Sequence, residues 1–342
     1  MIKDKSIQFF SLIQKFLQIY LKHRCAKKTI DRHKTVLILF LNFLCEKVPK
    51  SLQQLTLEDF TQENIEQFIT SQKEEKHLAP SSCNVYLSSL KIFTSFVMAE
   101  DQNFTCEAVK IKAIHKLKEN KKLTVRFFPP NILNSLVKTQ NKKTAKGFRN
   151  GFLMILMFDT GCRISEITGL RLVDITIEKD HSFITVLGKG SKKRVVPITS
   201  YTERILKKYL QKFHSDSIPS DFLFYAQHLD NMKSRMSNHS VSWIISESAK
   251  LAKMENPNVP EKITPHMFRH SRAMHLYRNG MSLAMIAQLL GHSQMETTQI
   301  YAYADTEMKR KAISQATNSL HPLFTVHKEM NDQEFKKRFG LA

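Results

Sequence analysis

Thr264-Pro-His-Met-Phe-Arg-His270, followed by Leu289-Leu-Gly-His-Ser293 and Thr297-Thr-Gln-Ile-Tyr301, is the stretch on which the reading of this chain turns. It gathers imidazoles, a guanidinium and a phenol with no acidic cluster beside them. Thr264 and Pro265 fit the N-cap and first position of a helix, since a threonine oxygen accepts an unpaired amide and proline has no amide to lose. His266 and Arg269, three residues apart, then share a face and can reach one anion together. Residues 283–290 read as a second helix, begun by Ser282 and ended by Gly291, which leaves His292 just past its end. Thr297 or Thr298 can cap a short helix that carries Tyr301.

Upstream, an apolar helix over 152–158 stops at Gly161 in Asp159-Thr-Gly-Cys-Arg163, and a new helix begins near Arg163 with Ile164, Ile167 and Leu170 inward. A guanidinium at a helix N-terminus suits two phosphate oxygens. An ion pair with Glu166 is the competing, purely structural reading of Arg163. The β-branched runs 181–187 and 194–199 flank Gly188-Lys-Gly-Ser-Lys192 and predict a β-hairpin with a basic tip. The rest of the chain from Pro129 reads as helical. Residues 7–100 predict four helices: 7–23, one from Thr29, one over 63–72, and one from the cap region Ala79-Pro-Ser-Ser82. The tail 321–342 is charged, with a short helical pattern over 332–339.

The chain has 342 residues, 42% of them hydrophobic, which is enough for two cored domains. Nine Gly and ten Pro among them favour helices over β-rich or disordered structure. Lys and Arg number 52 against 31 Asp and Glu, and the net charge of +21 favours a polyanionic partner. Lys110, Lys112, Lys116, Lys118, Lys121, Lys122 and Arg126 are opposed locally only by Glu119. They predict a linker lying on a phosphate backbone, or else a solvated basic loop. Five scattered cysteines without a CxxC pair suit reduced thiols in a cytoplasmic chain, each a small core residue. The N-terminal apolar face is broken by Gln8, Gln14 and Lys15, which reads as an amphipathic helix and not a signal peptide, and no run is long enough to span a membrane.

These groups suit holding a phosphodiester, attacking it with a tyrosyl oxygen and protonating the leaving hydroxyl. A phenol ionises near pH ~10 in water, so an attacking tyrosine needs cationic surroundings. Lys189 at the hairpin tip can serve as general acid, although Lys192 and Lys193 share that tip. The absence of two close carboxylates gives two-metal chemistry little support. His266 and His270 have the spacing of a zinc pair, but no glutamate lies between them and Arg269 would repel the ion. His270 and His275 read singly as packing or hydrogen-bonding residues. Tyr303 is a rival nucleophile that faces roughly the opposite side of its helix from Tyr301. The reading is DNA strand transfer through a phosphotyrosine. Relaxation of DNA by related topoisomerase chemistry, a silent DNA-binding module and a generic RNA binder are the rivals.

The segments resemble the tyrosine recombinase (phage integrase) family over most of the chain. Asp159–Ile167 with Leu170–Ile175 looks like its first arginine box. Gly188-Lys-Gly190 with Arg194-Val-Val-Pro197 looks like its lysine hairpin, and Thr264–His270 like its HxxR box. Leu289–Ser293 looks like its LGHS box, with Tyr301 nine residues after His292. The resemblance implies a mainly α fold, an N-terminal four-helix, SAM-like core-binding domain at 1–107 and a basic linker at 108–128. A mainly helical catalytic domain with a small β-hairpin follows at 129–320, of the DNA breaking–rejoining enzyme fold, then a tail at 321–342 that docks on a neighbouring protomer. It implies that Arg163 and Arg269 clamp the scissile phosphate, Lys189 protonates the 5′-oxygen and His266 assists proton transfer. His292 would bond a phosphate oxygen, Glu166 would support the site, and Tyr301 would form a 3′-phosphotyrosyl link. Lys116, Lys118, Lys121, Lys122, Lys192 and Lys193 would contact DNA. No metal or cofactor is implied. The implied partners are double-stranded recombination sites, a homo-tetramer on paired sites, and accessory directionality proteins. The chain enters the core-binding pattern almost at once, as simple-site recombinases do, and long stretches at 214–240, 252–262 and 321–342 lean toward a mobile-element integrase over Xer housekeeping. Neutralising Lys116, Lys118, Lys121 and Lys122 should flatten the salt dependence of DNA binding, and an unchanged slope would put the linker off the DNA.

Overall fold

In the computed structural model, the described residues are 2–47, 50–119, 125–178, 181–188, 193–227, 233–292, 294 and 296–304, with 333, 336–337 and 340 of the tail. The chain divides into two compact units, Met1–Lys122 and Leu123–Ala342.

Among its described residues the first unit holds five α-helices: α1 (Ile2–Lys15), α2 (Lys27–Lys47), α3 (Gln62–Glu74), α4 (Pro80–Glu100) and α5 (Thr105–Ala113). The first expected helix is therefore two pieces, because after Lys15 the backbone widens into a π-helical turn, Phe16–Tyr20. Helix α4 starts on Pro80, and Ala79 in the cap position supplies no side-chain bond. The proline's missing amide and fixed φ set the boundary there. Helix α5 was not expected. Residues 108–113, assigned by sequence to the linker, lie on it, and Ala108 and Ile111 are buried in the core. Its lysines masked this alternation by giving the segment a basic composition. The core is an interlocked set of rings. Phe60 meets Phe93 at 5.2 Å and Phe40 at 5.5 Å, while Phe16 meets Phe93 at 5.1 Å. Edge-to-face contacts of this kind add to the area that each ring buries.

In the second unit, α7 (Ala145–Thr160) is buried along most of its length and packs against α6 (Pro130–Lys138), α9 (Ser200–Phe213) and α11 (Pro265–Arg278). Helices α8 (Ile164–Gly169), α10 (Asn238–Glu255), α12 (Leu283–Leu290) and α13 (Glu296–Ala304) complete the helical set among the described residues. The expected hairpin is β2 (Phe183–Leu187) with β3 (Lys193–Pro197), antiparallel, with Ile184 opposite Val196 on the buried face. A short strand β1 (Ile175–Thr176) extends that sheet. A second two-stranded sheet, β4 (Tyr225–Gln227) with β5 (Lys233–Arg235), lies in a stretch where no strand was expected. Three-residue strands are too short to show a period of two in sequence. No helix among the described residues is long and apolar enough to cross a membrane. All five cysteines are free, but Cys106 is exposed, contrary to the expectation that each would be a core residue. It sits on the solvent side of α5, the helix that the sequence concealed.

Removal of the Phe93 ring should leave a cavity at the centre of the first unit. Phe93→Ala is expected to cost that unit about 3–5 kcal/mol, read as a lowered urea midpoint. An unchanged midpoint would show that the ring cluster does not hold the unit together.

Candidate active site

Helix α12 ends at Leu290, and Gly291 turns the chain with a left-handed φ of 67°. That conformation suits a residue without a Cβ. A helix end leaves carbonyls without intrahelical donors. Here a different arginine takes each of three successive ones. Arg194 Nε donates to Leu289 O at 2.9 Å, Arg269 Nη2 to Leu290 O at 2.8 Å, and Arg163 Nη2 to Gly291 O at 3.3 Å. The negative end of the helix dipole favours cations at this place. Arg269 also donates to Gly161 O at 3.1 Å, at the end of α7. Gly161 has φ 60°, and a Cβ there would come within 2.8 Å of Leu290 Cδ2. Glycine thus lets the two helix ends approach closely enough for one guanidinium to bridge them.

Glu166 binds Arg163 and Arg194 to one another. Its Oε2 accepts from the Arg163 amide at 2.8 Å and its Oε1 from Arg163 Nη1 at 3.0 Å, which ties the residue before α8 to that helix's first turn. Arg194 donates to both carboxylate oxygens, at 2.9 and 2.8 Å. Burial alone would raise the carboxyl's pKa, but the hydrogen bonds from Arg194 and Arg163 outweigh it and hold the group below the usual range. The ion pair of the structural reading of Arg163 is therefore present. Yet the Arg163 side chain remains 35% exposed, against 13% for Arg194, so it is the more accessible of the two. Glu166 pairs with two of the three guanidinium groups and leaves an excess of positive charge that suits an anion. Burial, and then the charge of Arg163, lower the pKa of Arg269 to about 10, which leaves it a cation at neutral pH.

His292 follows Gly291, and its Nδ1 lies 2.7 Å from the hydroxyl of Thr298 on α13. Thr298 lies inside that helix, fully buried, so neither Thr297 nor Thr298 is the cap that the sequence suggested. Tyr301, on the same helix, is 0% exposed and packs with Ala273, Met274, Ile286 and Leu290. Its hydroxyl is 3.1 Å from His270 Nδ1. Burial pushes the phenol up to about 12, partly offset by Arg269. Burial also drives His292 and His270 down to about 4, helped by Arg269 in both cases.

Thr264 and Pro265 take the expected N-cap and N1 positions of α11, but the Thr264 side chain makes no cap bond. His266 is exposed on the first turn, while Arg269 is buried one turn on. Lys189 and Lys192 lie outside the described residues, as do Lys121, Lys122 and the side chain of Tyr303. Lys193 is exposed at the start of β3, and Lys116 and Lys118 are exposed beyond α5. Among the described residues, no three His, Cys, Asp or Glu side chains converge as a metal site would need. Sequence reasoning gave no role to Arg194 and did not see the His270–Tyr301 pair. Arg194 was discoverable, because it shares the inward side of β3 with Val196. The pairing of His270 with a residue on α13 left no signal in sequence.

Residues 105–308 match the phage integrase family, and residues 12–103 match the N-terminal SAM-like domain of phage integrases. Tyrosine recombinase XerC of Staphylococcus aureus (strain JH9) is 30% identical over 288 residues, spanning 84% of this chain and 89% of that protein. The fold is similar to that of the XerH site-specific recombinase bound to palindromic difH substrate in a post-cleavage complex. The TM-score is 0.68 at 20% identity, over 92% of this chain and 93% of that one. It is also similar to the Tn1549 transposon integrase in complex with transposon right end DNA, with TM-score 0.66 and 16% identity over 89% and 98% of the two chains. The chain belongs to the phage integrase family. Within it, the chain is a tyrosine site-specific recombinase.

His270 and His292 are neutral in the folded protein and take up protons in the unfolded chain near the ordinary value of ~6.5. Their contribution to stability is therefore complete above about pH 6.5 and is lost as the pH falls toward about 4. Melting temperatures across this window should fall less steeply for the double variant His270→Gln, His292→Gln than for wild type. Parallel curves would mean that other groups govern acid sensitivity.

Proposed function

We propose that this recombinase cleaves and rejoins DNA through a 3′-phosphotyrosyl bond to Tyr301, with strands exchanged between two sites by way of a Holliday junction. The observation that carries this reading is the set of three arginines on the end of α12, with the Tyr301 helix packed against the same segment. Arg163 and Arg269 clamp the scissile phosphate and stabilise the charge of the five-coordinate phosphorus. Arg194 and Glu166 hold that clamp in shape. His292, fixed through Nδ1 by Thr298, offers its other ring nitrogen to a phosphate oxygen. As the tyrosyl oxygen bonds to phosphorus, the bond to the 5′-oxygen breaks, and Lys189 supplies that oxygen's proton. His266, exposed beside the site, assists proton transfer. The phosphotyrosine keeps the phosphodiester energy, so rejoining needs no cofactor. Lys116, Lys118, Lys121, Lys122, Lys192 and Lys193 contact the DNA backbone.

Four copies act on two sites, with the tail 321–342 docking on a neighbour and accessory proteins biasing direction. The sites bound a mobile element, in keeping with the fold shared with a transposon integrase. The similarity to a XerC protein supports a second reading, resolution of chromosome or plasmid dimers.

Covalent trapping on a nicked suicide substrate tests the chemistry. Wild type and Tyr303→Phe should form a denaturant-resistant adduct without divalent metal, and Tyr301→Phe should form none. Arg163→Ala should abolish the adduct with little loss of DNA affinity. Loss confined to Tyr303→Phe would move the nucleophile to Tyr303, and a large loss of binding in Arg163→Ala would make that arginine structural.

A further inference from the structure

Among the described residues, the one side-chain hydrogen-bond partner of the Tyr301 hydroxyl is His270 Nδ1, at 3.1 Å, with the rings edge to face at 5.9 Å between centroids. The other histidines are differently engaged. His266 is exposed on the first turn of α11, and His292 spends its Nδ1 on Thr298. His275 has a buried Nδ1 with no partner. Resting on Tyr301 as the nucleophile, we propose that His270 is a catalytic residue, the base that receives the Tyr301 proton during strand cleavage.

In the tautomer that leaves Nδ1 bare, the phenol donates to it and the proton already points along the path of transfer. Besides burial, the groups that oppose a positive His270 imidazole are its helix neighbours His266 and Arg269. With the phenol pushed up to about 12 and the imidazole down to about 4, the proton stays on oxygen in the free protein. Transfer belongs to the attack itself. As the oxygen–phosphorus bond forms, the phenolic oxygen loses basicity, and the bound phosphate's negative charge favours imidazolium. His270 ends protonated, Tyr301 ends esterified, and the 5′-oxygen takes its proton from a separate acid. Rejoining reverses each transfer.

The test uses the full-length protein on two suicide substrates, one ordinary and one with sulfur in place of the bridging 5′-oxygen. A thiolate leaves without a proton, so the sulfur substrate relieves loss of an acid and not loss of a base. His270→Asn keeps a polar atom near the Nδ1 position but cannot take up the proton. It should bind DNA as wild type does and lose about 100-fold or more in adduct rate on both substrates. His270→Ala should behave likewise and regain rate with added imidazole. His270→Asn cleaving at the wild-type rate would overturn the proposal, leaving His270 only to position the phenol. Recovery on the sulfur substrate would also overturn it, by moving His270 to the leaving-group side. If wild type itself forms no adduct, the proposed function fails instead. A variant with lowered DNA affinity and rate together, unmoved by imidazole, would make the residue structural and count against the base.

Discussion

Three backbone carbonyls at the end of one short helix organise the second unit's polar centre. Leu289, Leu290 and Gly291 each accept from a different arginine, and those arginines come from β3, α11 and the start of α8. Without these acceptors the guanidinium groups would repel one another inside a partly desolvated space. With them, and with Glu166 shared between Arg163 and Arg194, like charges are held close together at fixed spacing. Buried charge is costly unless every polar atom is satisfied. The polar order of the site is thus a packing requirement as much as a chemical one.

This arrangement explains why glycine occurs at both 161 and 291. Each ends a helix in the left-handed region, and each presents a carbonyl to an arginine. A Cβ at Gly291 would also press on the Arg194 side chain, with contacts of 3.0 to 3.1 Å. The residues that look like passive terminators in sequence set how closely the charged groups approach.

Much of this is legible in the sequence. Proline at 265, serine at 282 and glycine at 161 and 291 punctuate helices by local chemistry, and each marked its boundary correctly. The long amphipathic helices and the β-branched hairpin declared themselves by period. What stayed hidden depended on distance in sequence. The bonds from Arg194 to Glu166 and from His270 to Tyr301 join segments 28 and 31 residues apart, and a linear pattern does not reveal them. Helix α5 stayed hidden for another reason. Its two buried positions, Ala108 and Ile111, are too few to stand out among lysines.

The burial of Tyr301 bears on how such an enzyme lives with DNA. A chain carrying +21 adheres to any duplex and, by mass action, spends most of its time on sequences that are not its own. An ionised phenol poised at the surface would turn those idle encounters into broken strands. Here the hydroxyl is sheltered from water, un-ionised and tied to an imidazole. On the proposed reading, adhesion and reactivity are uncoupled, and promiscuous residence leaves the genome intact.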